Sequence, residues 1–204
     1  MGQLPRRPAA RRVAGDAVHQ PRRTRTHDVP CTGDQLDAAV AAEPDLVSVF
    51  IGGNDVLFFP RFEATRFAAE LDQLVEPFVA PGVTVVLLTL PDLTACSLLL
   101  PPLRGALRRR IIAANEVIRD AAERHRTVLL DSWAGERTRR HAMWSLDRIH
   151  PNAQGHRLIA QSVADLLDVP TGGSLGEIAR ESAAGTMRRH GRELAWLARH
   201  AARG

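Results

Sequence analysis

At 204 residues and 45% hydrophobic content, the chain has the size of one domain and enough apolar matter for an ordinary core. All 27 basic residues are arginine, yet the formal charge is only +4. The sequence pI of about 10.6 therefore reflects a side chain that keeps its proton rather than a basic binding face, and nucleic acid is not expected as a partner. Two cysteines, Cys31 and Cys96, define neither a disulfide framework nor a metal site. No run reaches the length of a membrane span, and the N-terminus lacks the apolar stretch of a secretory signal. A cytoplasmic protein without metal or organic cofactor is expected.

Residues 1–31 alternate Arg6, Arg7, Arg11, Arg12, Arg22 and Arg23 with Pro5, Pro8 and Pro21, and their few apolar residues show no period of two or 3.6. A disordered arm is expected there. Thr32 or Asp34 caps a helix through about Ala42, and Pro44-Asp45 turns the chain into an apolar, β-branched strand at 46–51, expected to be buried. A helix over 61–79, carrying Phe62, Phe67, Leu71, Leu74, Val75 and Phe78, leads through Pro81-Gly82 to a second strand at 83–90. The unbroken apolar run of that strand fits a parallel strand covered on both faces. A helix near 103–125 passes into a short strand at 127–131, and a loop then holds Trp133 and Trp144. After Pro151, the segment 152–167 places Leu158, Ile159, Val163, Leu166 and Leu167 at helical spacing. Strand and helix in alternation imply a parallel α/β sheet, with the main domain over residues 32–170. Ser174-Leu175-Gly176-Glu177 is a capping box that opens a C-terminal helical extension over 171–204.

Two motifs carry chemistry. The first strand runs into Gly52-Gly53-Asn54-Asp55, which places an amide side chain at a strand's C-terminal end, where ligands gather in α/β sheets. An amide donor stabilises negative charge without titrating, and the glycines allow close approach. Alone, this segment reads more readily as a turn with no chemical role. In the second motif, Asp147-Arg148-Ile149-His150-Pro151, an Asp three residues before a His can hold the imidazole in one tautomer. The plain alternative is a surface Asp-His pair that caps the following helix.

Together the motifs resemble blocks III and V of the SGNH (GDSL-type) ester hydrolases. The resemblance covers roughly residues 32–200, and the long basic tail ending near Trp196 looks like that of actinobacterial members. It implies a three-layer α/β/α sandwich of the flavodoxin-like kind. It also implies ester hydrolysis by a Ser-His-Asp mechanism on a small-molecule ester, with Asp147 and His150 in the triad and Asn54, beside Gly53, in the oxyanion hole. The family's Gly-Asp-Ser, on a first strand, has no counterpart here. Gly15-Asp16-Ala17 ends in a residue with no nucleophile, and Thr32-Gly33-Asp34-Gln35 fits the helix after block II better. The nucleophile is therefore unassigned, since Ser48 lies within a strand, Ser132 and Ser145 share the base's region, and Ser97 sits in an apolar loop. Three readings stay open. Residues 1–31 are out-of-frame translation of GC-rich DNA, with the N-terminal strand missing and hydrolysis impaired; the chain is a silent paralogue that binds without hydrolysing; or it is a basic nucleic-acid-binding protein. The acyl pocket is expected in loops such as 56–62 and 92–104.

Overall fold

A computed structural model of the chain describes residues 34–58, 61–79, 82–94 and 100–170. All of them fall within the unit Cys31–Gly204. The expected N-terminal arm, Gly15-Asp16-Ala17, Ser97 and the C-terminal extension lie outside the described residues.

Strand β2, Thr84–Leu88, is the most deeply buried. Side chains alternate across a strand, and here both sets are covered. Val85 and Leu87 join the main core, while Val86 and Leu88 are buried on the other face. The unbroken apolar run thus has the physical cause expected of it. β2 lies at the centre of a three-stranded parallel sheet, between β1, Leu46–Val49, and β3, Val128–Leu130. Val47 stands beside Val85, Val49 beside Leu87, and Leu87 beside Leu129, so one apolar row crosses the sheet. This is the α/β architecture with a parallel sheet that the alternating pattern predicts.

β1 corrects the expectation of a buried strand. Among the described residues it pairs only with β2. Leu46 is 49% exposed, Phe50 just past its end is 45% exposed, and Ser48 on the same face is exposed too. Apolar, β-branched composition favours extended backbone, but burial depends on which elements arrive alongside.

The helices pack on the strands and on one another. α1, Asp34–Ala41, lies largely in solvent. α3, Ala64–Val75, buries Phe67, Leu71 and Val75 against α4, Pro101–His125, which supplies Leu107, Ile111, Ala114 and Ile118. α3 is shorter than the expected 61–79. Pro77 lacks the N–H an α-helix needs, so Glu76–Phe78 tightens into a 3-10 turn. Phe62 stays outside the helix and tilts against Phe67, with ring centroids 5.5 Å apart. α4 ends as Arg126 turns left-handed, at φ 54°, and its amide reaches the Ala122 and Glu123 carbonyls. α5, Ala153–Leu166, packs on β3 and buries Leu158, although Leu166 in its last turn is 44% exposed. The expected loops are shorter than supposed, because Gly53–Phe58 form a helix, α2, and residues 101–104 belong to the first turn of α4.

Candidate active site

Because the strands are parallel, their C-terminal ends share one edge of the sheet, and the polar residues collect there. Thr89, which follows the last residue of β2, is fully buried. Its hydroxyl donates to Asp131 Oδ1 at 2.9 Å and its amide to the Leu130 carbonyl at 3.1 Å, tying the ends of β2 and β3 together. Asp131 also takes Arg119 at 3.0 Å and the amides of Trp133 and Ala134. Burial pushes its carboxyl up, but Thr89, Arg119 and the Ala134 amide outweigh that and hold it below the ordinary value. Asp92, after β2, is buried and paired with Arg108 at 2.6 Å, and the Arg108 guanidinium lies 4.8 Å from the Trp133 ring centre. Sequence reading missed Asp131. An acid at the end of an apolar strand is a signal, but its partner Thr89 is 42 residues away.

The end of β1 is different. The chain turns at Gly52, whose φ is +96°, and a Cβ there would lie 2.8 Å from Phe67 Cζ. Glycine is required by backbone and by packing. Gly53 opens α2 and faces open space, with nothing within 4 Å of the position a Cβ would take. Gly52 is thus held by its surroundings, whereas the space beside Gly53 is open. Asn54 follows in the first turn of α2 with its side chain exposed.

The Asp147 motif is a closed loop. The Ser145 amide donates to the His150 carbonyl at 2.8 Å and the Arg148 amide to the Ser145 carbonyl at 3.0 Å, with Arg148 left-handed at φ 57°. The turn brings the backbone amides of Ile149 and His150 to Asp147 Oδ1, at 2.9 and 3.0 Å, and sets His150 Nδ1 2.8 Å from Oδ2. Partial burial pushes the Asp147 carboxyl up. The His150 and Ile149 amides and the imidazole overcome that effect and leave it below the ordinary value. An ionised Asp147 only accepts, so Nδ1 carries the hydrogen and Nε2 of a neutral ring keeps its lone pair. The imidazole is 71% exposed and open to an incoming molecule.

The pair does not cap the following helix. That task falls to Asn152, whose Oδ1 accepts from the Gln154 and Gly155 amides at 2.9 and 3.0 Å. Asn54 makes no hydrogen bond to the pair among the described residues. Phe50, just past the end of β1, and Pro151, next to His150, line one small cavity with Pro91, Ser132, Trp144 and Leu158, and neither Asn54 nor His150 is among its lining residues. Of the described serines, Ser48 is exposed on β1, Ser132 is buried, Ser145 donates to the Pro151 carbonyl at 3.3 Å, and Ser162 lies half-buried within α5.

The GDSL-like lipase/acylhydrolase family matches residues 2–158. No curated protein matches the chain. Among solved structures, an α/β hydrolase enzyme from the metagenome of Lake Arreo, Spain, is similar at 28% identity, over 68% of each chain, with a TM-score of 0.53. A variant of Axe2, an acetyl-xylooligosaccharide esterase from Geobacillus, is similar at 24% identity and a TM-score of 0.51, over 66% of this chain and 64% of its own. At that identity the likeness is one of fold, and the chain spans a little under two thirds of the Axe2 length. A match that runs through most of the sequence and ends inside the helix behind His150 places this chain in the GDSL-like lipase/acylhydrolase family.

Proposed function

We propose that the chain carries the acyl-ester hydrolase site of its family and acts on small-molecule carboxylic esters. His150 Nε2 is the base, Asp147 fixes its tautomer and stabilises the imidazolium, and Asn54 with the Gly53 amide supplies oxyanion donors. The observation that carries this reading is the 2.8 Å pairing of His150 Nδ1 with Asp147 Oδ2, in a loop that aims two further amides at the same carboxylate. With Nδ1 held by the carboxylate, the exposed ring leaves Nε2 accessible, which is the geometry a general base needs.

The nucleophile is the missing part. Gly15-Asp16-Ala17 supplies no hydroxyl, and none of the described serines carries an observation that marks it as attacking. Hydrolysis by this chain is accordingly impaired. The test is the purified full chain on p-nitrophenyl acetate, and on the acetylated xylo-oligosaccharide that the Axe2 name points to. A rate only slightly above background, lowered further in His150→Ala and Asn54→Ala, is the expected result, because base and oxyanion donors act weakly without an attacking group. Fast turnover blocked by a serine-directed phosphonate, with the label on this chain, would overturn the impairment. Fast turnover indifferent to His150→Ala would overturn the assignment of the base. The absent Gly-Asp-Ser favours a second reading, a silent binding protein of the same fold. It requires saturable binding of an acyl ester by calorimetry with no turnover at all.

A further inference from the structure

Asn152 uses every hydrogen-bonding atom of its side chain to close the segment that contains Asp147 and His150. Its Oδ1 takes the first free amides of α5, from Gln154 and Gly155. Its Nδ2 donates backward to the carbonyls of Ala142 at 2.7 Å and Trp144 at 3.1 Å, and its own amide donates to the Met143 carbonyl at 3.0 Å. The segment before the loop is thus fastened to the segment after it. Trp144 and Pro151 pair as an antiparallel bridge at the same neck. Gly155 completes the junction, since a Cβ there would strike the Met143 carbonyl oxygen and lie 2.8 Å from Pro151 Cβ.

We propose that Asn152 is the positioning residue of this site: its carboxamide clamps the two ends of the Asp147–His150 loop, and through them fixes the imidazole against the carboxylate. The proposal rests on the reading of that pair as base and orienting acid. The side chain has two separable roles. Capping α5 needs only an acceptor, which serine supplies nearly as well as asparagine. Clamping the loop needs a donor that reaches two carbonyls at once, and a serine hydroxyl has one hydrogen on a shorter arm. Asn152→Ser therefore keeps the cap and removes the clamp, whereas Asn152→Ala removes both.

The experiment reads the loop directly in the full chain, by carbon-detected titration of the Asp147 carboxyl and by hydrogen exchange of the Ile149 and His150 amides. In the unaltered chain the Asp147 midpoint lies below the ordinary Asp value, as those amides and the ring require. In Asn152→Ser it moves up towards that value, and the two amides exchange about tenfold faster, the effect of losing roughly one net hydrogen bond. Asn152→Ala gives the same titration shift with a larger loss of Tm. An Asn152→Ser protein whose Asp147 midpoint and amide exchange match the unaltered chain would overturn the proposal, and would leave Asn152 as a helix cap only. Neither readout depends on turnover. A clamp that passes this test in a chain with no esterase activity therefore counts against the hydrolase reading and not against the clamp.

Discussion

Asn115 closes on Leu90 from both sides: its Oδ1 accepts the Leu90 amide at 2.7 Å and its Nδ2 donates to the Leu90 carbonyl at 2.8 Å. A helix side chain here substitutes for a neighbouring strand just where β2 gives out, and it does so 1% exposed. The backbone that continues from Leu90 leads to Asp92 and the polar edge of the sheet, so the clasp sets where that edge begins.

Replacing Asn115 with Leu, a side chain of similar bulk, leaves the Leu90 N–H and C=O buried without partners. The desolvation of two such groups costs about 2–5 kcal/mol. Chemical denaturation should show that loss with an unchanged m-value. A loss under about 1 kcal/mol would mean that water reaches Leu90 and replaces the amide.

Gly155→Ala tests the contact between α5 and the loop. The added methyl meets the Met143 carbonyl and the Pro151 ring, neither of which is a flexible side-chain end. Overpacking of this kind costs about 1–3 kcal/mol, against the gain of up to roughly 1 kcal/mol that alanine normally brings to a helix. Net destabilisation is expected by thermal denaturation, with loss of the antiparallel pairing of Trp144 and Pro151. A more stable variant would show that the loop withdraws freely from α5.

Much of this arrangement is legible in the sequence, where a single local pattern decides it. The apolar run Val85–Leu88 announces a doubly covered strand, the spacing of Phe67, Leu71 and Val75 announces α3, and Asp147-x-x-His150 announces the paired side chains. α2 escapes because Gly53–Phe58 is six residues, too short to display a helical period, and begins at glycine. The Asn115–Leu90 and Thr89–Asp131 bonds escape for another reason. They join residues 25 and 42 positions apart, and no spacing rule links a polar residue at the end of one strand to a helix side chain or to the end of another strand. Asn152 could have been found, because an Asn ahead of an apolar-periodic helix is a capping signal. Its backward grip on Ala142 and Trp144 could not.

The exposed face of β1 has a consequence for solution behaviour. Leu46 stands at the start of a strand that pairs on one side only among the described residues, and at 49% exposure its side chain contributes little to the core. An apolar edge invites pairing with other chains, and a lysine at such a position opposes it. Leu46→Lys should stay monodisperse by light scattering at concentrations where the unaltered chain associates, with Tm changed by about a degree. A loss of several degrees would show that Leu46 is covered in solution.

Asp55 and Asp147 titrate in opposite senses, and this separates a residue that strains the fold from one that supports it. Burial is the largest influence on Asp55 and raises its pKa. The nearby Glu70 adds to this, while its own backbone hydrogen bond and Arg66 only partly oppose it. A carboxyl whose folded pKa is raised costs nothing below its unfolded pKa. The cost grows as pH rises through that value, because the unfolded chain ionises first, and it is complete above the folded pKa. Asp147, with its folded pKa lowered, contributes stability that is present above the unfolded value and lost as pH falls through the folded one. Asp55→Asn should therefore raise Tm at neutral pH by about 1–3 °C, and Asp147→Asn should lower it. The Asp55 difference should shrink towards zero below its unfolded pKa, and the Asp147 difference only below its lowered folded pKa, where that carboxyl is protonated in the folded and unfolded chain alike. Calorimetric scans of the three proteins from acid to neutral pH check the pair together. An Asp55→Asn variant less stable than the unaltered chain at neutral pH would show that the ionised carboxylate holds a partner that its burial conceals.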